Sequence, residues 1–296
     1  MKLSLASFKW LGLMLVLIGP LGAAGCAGRR TIAPPGGSGH RAASDRAANG
    51  VGGAEAQAEV GSDPLAYLRR VLDRCRTLQQ YTVTFTRQER RGVGPFKSLR
   101  EPERIACKFR RQPFSVHMRW LDPGVKHGEA TYVAGQEENK VRFVPRHGLL
   151  GLPPRVTRVD LQTPVTWGEA NQPLTDFGLE RMMEQTLANV EQAAGAVRIA
   201  YYGVTELSQP ACEAHHLRLE FPSRQYRAPI QELFVDVKTD LPVCTRVLYP
   251  SGKLEAAYIW EDLDPDVRLT DEDFLLAAER RQRAAGIEAA AASDSQ

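Results

Sequence analysis

Apolar residues at Leu65, Leu68, Val71, Leu72, Cys75 and Leu78 recur at helical spacing with arginines on the opposite face, which predicts an amphipathic helix. Ser62-Asp63-Pro64 supplies its capping residue and a proline in the first turn. The period then changes to two, the mark of half-buried strands. Tyr81, Val83 and Phe85 alternate with threonines; Ile105, Cys107 and Phe109 alternate with Ala106, Lys108 and Arg110; Phe114, Val116, Met118 and Trp120 alternate with Ser115, His117 and Arg119. Further strands fit 129–134, 140–146 and 155–162. A second helix is predicted over 176–194, with Phe177, Met182, Met183, Leu187 and Val190 as its apolar stripe. Strands resume over 197–207, 213–221, 230–238, 243–249 and 253–261.

The predicted order is therefore helix, six strands, helix, five strands. Short turns such as Lys238-Thr239-Asp240-Leu241-Pro242 and Pro250-Ser251-Gly252 favour an antiparallel meander. A sheet of that width curls, and two amphipathic helices need one apolar face to lie on. The expected fold is α+β: a strongly curved antiparallel sheet, an open and incomplete β-barrel, wrapped around two helices.

The ends of the chain change the picture from shape to address. Lys2 and Lys9, an apolar run from Trp10 to Leu21 and small residues up to Gly25 form the pattern of a secretory signal peptide over residues 1–25. Leu21-Gly22-Ala23-Ala24-Gly25-Cys26 resembles a bacterial lipoprotein processing site, with Ala23 where such sites usually carry Leu. Ordinary cleavage that leaves a free Cys26 is the other reading. Several acyl chains on Cys26 would anchor the protein stably, because each buried methylene adds ~0.8 kcal/mol. Ala27 rather than Asp follows the cysteine, which by resemblance to lipoprotein sorting rules points to the periplasmic side of the outer membrane. Residues 27–62 hold 8 Gly, 9 Ala and no Phe, Trp or Tyr. They read, with Cys26, as a lipidated flexible linker over 26–62, spanning roughly 30–35 Å. The folded domain is expected over 63–275, and 276–296 reads as a disordered or frayed helical tail.

Composition excludes broad classes. With 43% hydrophobic and 25% charged residues the chain is neither collagen-like, a coiled coil nor wholly disordered. No run reaches the roughly 20 apolar residues of a membrane-spanning helix. A net charge of +3 gives no argument for nucleic acid. The balance is uneven, however: residues 63–120 hold 14 Lys and Arg against 5 acids, and residues 121–296 hold 18 against 27. A basic face could meet anionic head groups or an acidic partner; solvated strand faces are the plainer reading.

Catalytic patterns are missing: the sequence has no GxSxG elbow, HExxH or phosphate loop. Gly92-Val93-Gly94 fits a hairpin turn. Asp262, Asp264 and Asp266 match part of a calcium loop, but Val267 stands where its glycine belongs. His215 and His216 point to opposite faces of a strand, and His117 stands alone on a polar face. Cys75, Cys107, Cys212 and Cys244 lack zinc spacing. A Cys212–Cys244 bridge is opposed by the strand expected between them. Cys75 and Cys107 could meet if the first helix packs on that strand; buried free thiols are the default. No metal or cofactor is implied. Large apolar residues are the more telling feature. Phe85, Phe114, Met118, Trp120, Phe143, Leu217, Leu219, Phe221 and Trp260 are candidates to line an apolar hollow in the concave face. They serve equally well as a filled core beneath the helices.

The segments Tyr81–Arg90, Pro113–Trp120, Gly128–Gly135, Pro173–Gly178 and Leu269–Phe274 resemble, in that order, an uncharacterised bacterial family known only as a domain of unknown function. More distantly, the chain is similar to the lipoprotein-carrier superfamily of LolA, LolB and RseB. The cues are the early helix, the Phe85–Gln88 strand, the Asp236–Pro242 turn and the closing Asp271-Glu272-Asp273-Phe274. The resemblance implies an open barrel around helices that binds acyl chains, with no carrier contact residue transferable to a position here. The expectation is a non-enzymatic, lipid-anchored envelope protein that binds an acyl or other apolar ligand, or a lipoprotein. The alternative is a structural or interaction module of the envelope with a filled core and no cavity.

Overall fold

A computed structural model describes residues 57–92, 96–148, 153–166 and 168–293. Twelve strands make one open sheet: β1 (Gln80–Arg91), β2 (Ser98–Leu99), β3 (Glu103–Arg110), β4 (Ser115–Trp120), β5 (His127–Val133), β6 (Val141–Pro145), β7 (Thr157–Val159), β8 (Arg198–Ser208), β9 (Ala211–Glu220), β10 (Ile230–Asp236), β11 (Pro242–Leu248) and β12 (Leu254–Asp264). Every pairing is antiparallel. The order across the sheet is β7-β6-β5-β4-β3-β1-β12-β11-β10-β9-β8, with the short β2 laid on β1. The sheet thus consists of two meanders, β1 to β7 and β8 to β12. They join where the first strand pairs with the last, Phe85 opposite Trp260 and Glu89 opposite Ala256.

Among the described residues the helices longer than two turns are α1 (Pro64–Arg76), α2 (Leu179–Gln192) and α3 (Ala277–Ser293), and a four-residue helix covers Thr163–Thr166. The Asp63 carboxylate accepts from the Ala66 N–H at 2.9 Å and caps α1. A helical segment over 57–62 precedes α1, and its Val60 is buried. α2 starts three residues later than its apolar pattern predicts, because Gly178 holds φ +124°. A Cβ there would meet the Phe109 ring at 3.3 Å and the Tyr81 hydroxyl at 3.4 Å. The Leu179 N–H donates to that hydroxyl at 3.3 Å, which ties the start of α2 to the centre of the sheet.

Tyr67, Leu68, Val71 and Cys75 of α1 and Leu179, Met183, Leu187 and Val190 of α2 are buried in one core. Its strand contributions are the alternate residues Tyr81, Val83 and Phe85, Ile105, Cys107 and Phe109, Leu217 and Leu219, and Leu233 and Val235. All four cysteines of the domain are free, and β10 lies between the strands of Cys212 and Cys244.

The opposite sheet face is also partly covered. Lys108 pairs with Asp273 and Arg110 with Asp271, both at 2.7 Å. These pairs draw residues 271–276 across β3 to β6, where Thr131 donates to the Phe274 carbonyl at 2.8 Å. Phe274 and Leu276 are buried, and Arg142 pairs with Glu279 at 2.7 Å. This cover corrects the expectation for His117. Its strand face is polar in sequence, yet the ring is buried, 3.8 Å from Glu129. The facing imidazole lowers the Glu129 carboxyl most; burial pulls it upward, the Ala277 N–H lowers it further, and the outcome is about 2.

Candidate ligand-binding hollow

The two helices do not cover the whole concave face. α1 and the first turns of α2 fill the half near the β10–β11 turn. Beyond them a cavity of about 290 Å³ remains between α2, residues 164–178 and strands β1, β4 to β7 and β10 to β12. Its strand positions, among them Glu89, Trp120, His127, Gln231 and Val247, lie toward the β4–β5, β9–β10 and β11–β12 connections. The volume is at the lower edge of the ~300–1,000 Å³ of small-molecule sites.

One wall is apolar. Met118, Ala130, Val141, Phe143 and Val159 come from β4 to β7, and Leu174, Phe177 and Met182 face them from the α2 side. Phe85 stands between, its ring 5.3 Å from Phe177 and 5.5 Å from Trp260. The other wall is polar. Gln231 donates to Thr186 on α2 at 2.9 Å and to Thr245 at 3.3 Å, and Gln172 donates to Gln185 at 2.9 Å.

Charges form the floor. The alternation that faces Tyr81, Val83 and Phe85 inward carries on along β1, so Arg87 and Glu89 also face inward. Arg87 donates to Glu103 at 3.0 Å, Trp120 Nε1 donates to it at 3.1 Å, and Arg91 pairs with its other oxygen. Tyr258 donates to Glu89 at 2.6 Å. Burial by itself would raise the Glu103 carboxyl; Arg87 and Arg91, with the hydrogen bonds from Arg91 and Trp120, outweigh it and hold it near about 2. Burial lowers the pKa of His127, whose ring lies 5.1 Å from Trp120. The floor therefore carries paired charges, with Arg87 and Arg91 sharing Glu103.

Of the nine residues that the sequence offers for a hollow, five line it: Phe85, Met118, Trp120, Phe143 and Trp260. The other four lie elsewhere. Leu217 and Leu219 face the same side of the sheet but are fully buried in the core. Phe221 packs on Tyr226 with centroids 4.9 Å apart. Phe114 packs between Phe109 at 5.7 Å and Tyr132 at 6.1 Å. Cys26 lies outside the described residues. The polar wall and the charged floor were missed in the sequence, although the strand period points to Arg87 and Glu89. His215 and His216 do diverge: Tyr201 meets His215 Nδ1 at 2.8 Å, while His216 stacks on Phe234 at 4.5 Å. Among the described residues no three His, Cys, Asp or Glu side chains stand together as metal ligands, and no helix is long and apolar enough to cross a membrane.

Fold and hollow together define an open, curved-sheet protein with an amphipathic cavity. Residues 78–281 match the model described as "Protein of unknown function (DUF1571)", and the chain belongs to that family. No curated protein matches the chain. In structure it is similar to MucB, with 16% identity and a TM-score of 0.43 over 74% of this chain and 64% of that one. It is also similar to a LolA superfamily protein from Nitrosomonas europaea (10% identity, TM-score 0.31, covering 71% of this chain and 97% of that one). A third likeness is to a putative outer membrane lipoprotein-sorting protein domain from Vibrio parahaemolyticus (11%, TM-score 0.34, 73% and 97%). The chain spans less than two thirds of MucB's length.

Proposed function

We propose that this is a non-catalytic protein of the bacterial envelope whose hollow binds an acyl chain or another apolar ligand with a polar end. The cavity carries the reading. The concave face offers more apolar surface than α1 and α2 cover, and the uncovered part is apolar on one wall and hydrogen-bonding on the other. A single chain suits that volume better than the several chains of a whole lipoprotein. The paired state of Glu103, Arg87 and Arg91 supports binding over catalysis. Export and a lipid anchor at Cys26 belong to the same proposal, on the lipoprotein-like pattern of residues 21–26. Cys26→Ser is expected to release the protein from membranes; unchanged fractionation with the membrane would remove the anchor from the account.

Among the described residues, Trp120 and Trp260 line the hollow. Titration with dibromostearate should quench their fluorescence at stoichiometric ligand, and Trp120→Phe with Trp260→Phe should abolish that quenching. Quenching no stronger than that by a water-soluble bromide would show the hollow to be closed to acyl chains, in favour of a filled interaction module.

A further inference from the structure

Basic side chains are paired with acids at one end of the sheet, and a group of them stands outside ion pairs at the other. Near the β3–β4 turn, Lys108, Arg110 and Arg111 pair with Asp273, Asp271 and Glu180 at 2.7–2.9 Å. At the opposite end, the close of β1, the β9–β10 connection and the β11–β12 connection come together through Arg90, Arg227 and Tyr249. Arg90 and Arg227 both lie over the Tyr249 ring, 5.9 and 6.0 Å from its centroid. Arg100, Arg224, Arg227 and Lys253 are exposed. Among the described residues none of these five cations is in an ion pair. Glu255 is already taken by Lys97 and the Tyr249 hydroxyl, and exposed Glu101 follows Arg100 in the chain. Phe96 stands beside them 83% exposed, one of two large apolar side chains so exposed among the described residues.

We infer that this rim is a docking surface for an anionic lipid bilayer. Long cationic arms outside ion pairs attract anionic head groups, and an exposed aromatic ring among them inserts at the head-group level. The rim presents dispersed charge around one apolar side chain, which suits a fluid surface. Its position gives the docking a direction. The hollow lies in the same half of the sheet, with Glu89 and Val247 close to the rim, so a docked molecule holds the hollow toward the membrane. The inference stands on the charge pattern and does not require a ligand in the hollow.

The test uses the chain from Ala27 onward, which lacks the Cys26 anchor and retains every described residue. Co-sedimentation compares vesicles of phosphatidylcholine with vesicles half phosphatidylglycerol, at 50 and 300 mM NaCl. Binding is expected only to the anionic vesicles and should fade at the higher salt. Arg224→Glu with Lys253→Glu should weaken it at least about 30-fold, since each cation at such a surface is worth about fivefold. Phe96→Ser should weaken it several-fold with unchanged melting. Lys238→Glu with Arg268→Glu, exposed cations at the other end, makes the same charge change and should leave binding intact. Equal binding to neutral vesicles, equal loss in both double variants, or no binding at low salt would overturn the inference. Capture by immobilised polyglutamate without vesicle binding would overturn it too and assign the rim to an acidic protein.

Discussion

The two halves of the concave face are built from the same alternating strands but closed differently. In one, α1 and α2 seal the sheet with Leu68, Val71 and Met183, all fully buried against Tyr81 and Leu217. In the other, the sheet turns charged and aromatic side chains inward, and α2 meets it through the Thr186, Gln231 and Thr245 hydrogen bonds with space left between. The first half is built for stability. The second keeps a buried ion network and a void, both of which a core devoted to stability would replace by packed apolar side chains. Retaining them is what a binding hollow requires.

Substitutions separate the halves. The largest effect is expected from Glu103→Ala, which leaves Arg87 and Arg91 buried without their shared acid; urea unfolding should show a loss of about 3–5 kcal/mol. In the sealed half Leu68→Ala opens a cavity with no solvent access and should cost about 2–5 kcal/mol by the same measurement.

Acid acts on the two faces of the sheet through carboxylates held low, Glu103 in the hollow's floor and Glu129 beneath the 271–277 cover. Glu103 and Glu129 sit near about 2 in the fold, below the ~4.3 of an unfolded glutamate. Their contribution is full above the unfolded value and is lost as pH falls through the folded value, so stability should drop between about pH 5 and 2. Glu129→Gln should flatten that drop, and an unchanged acid profile would refute the role given to the His117 and Ala277 contacts. The smallest stability effect belongs to the hollow's own wall: Phe143→Ala, half-exposed to the cavity, should cost about 1 kcal/mol or less. The same variant should weaken acyl-chain binding several-fold, which sharpens the contrast with Leu68→Ala.

The elements were legible in the sequence because burial on one face imposes its period directly. The α1 stripe and the alternations of β1, β3 and β4 fall where Leu65 to Leu78 and Tyr81 to Trp120 put them. Pairing was less legible. Period two tells which face a residue takes but not which strand lies beside it, so nothing local announces that Phe85 stands opposite Trp260. The site was half legible for a related reason. Leu217 and Trp260 carry the same signal, inward on a strand, and only the path of α2 decides that one is sealed and the other lines a void. His117 shows the converse: a polar strand face reads as solvated until residues 271–276, more than 150 positions away, are seen to cover it.

The central claim, that the uncovered half of the concave face holds an acyl chain, is tested most directly by native mass spectrometry of the protein purified from a bacterial host. The same preparation is then delipidated and supplied with palmitate. The account predicts an adduct of one acyl ligand per chain that is lost on delipidation, regained on addition and weakened by Phe143→Ala. A clean apo mass before and after palmitate would contradict it and make the apolar wall of β4 to β7 part of a core.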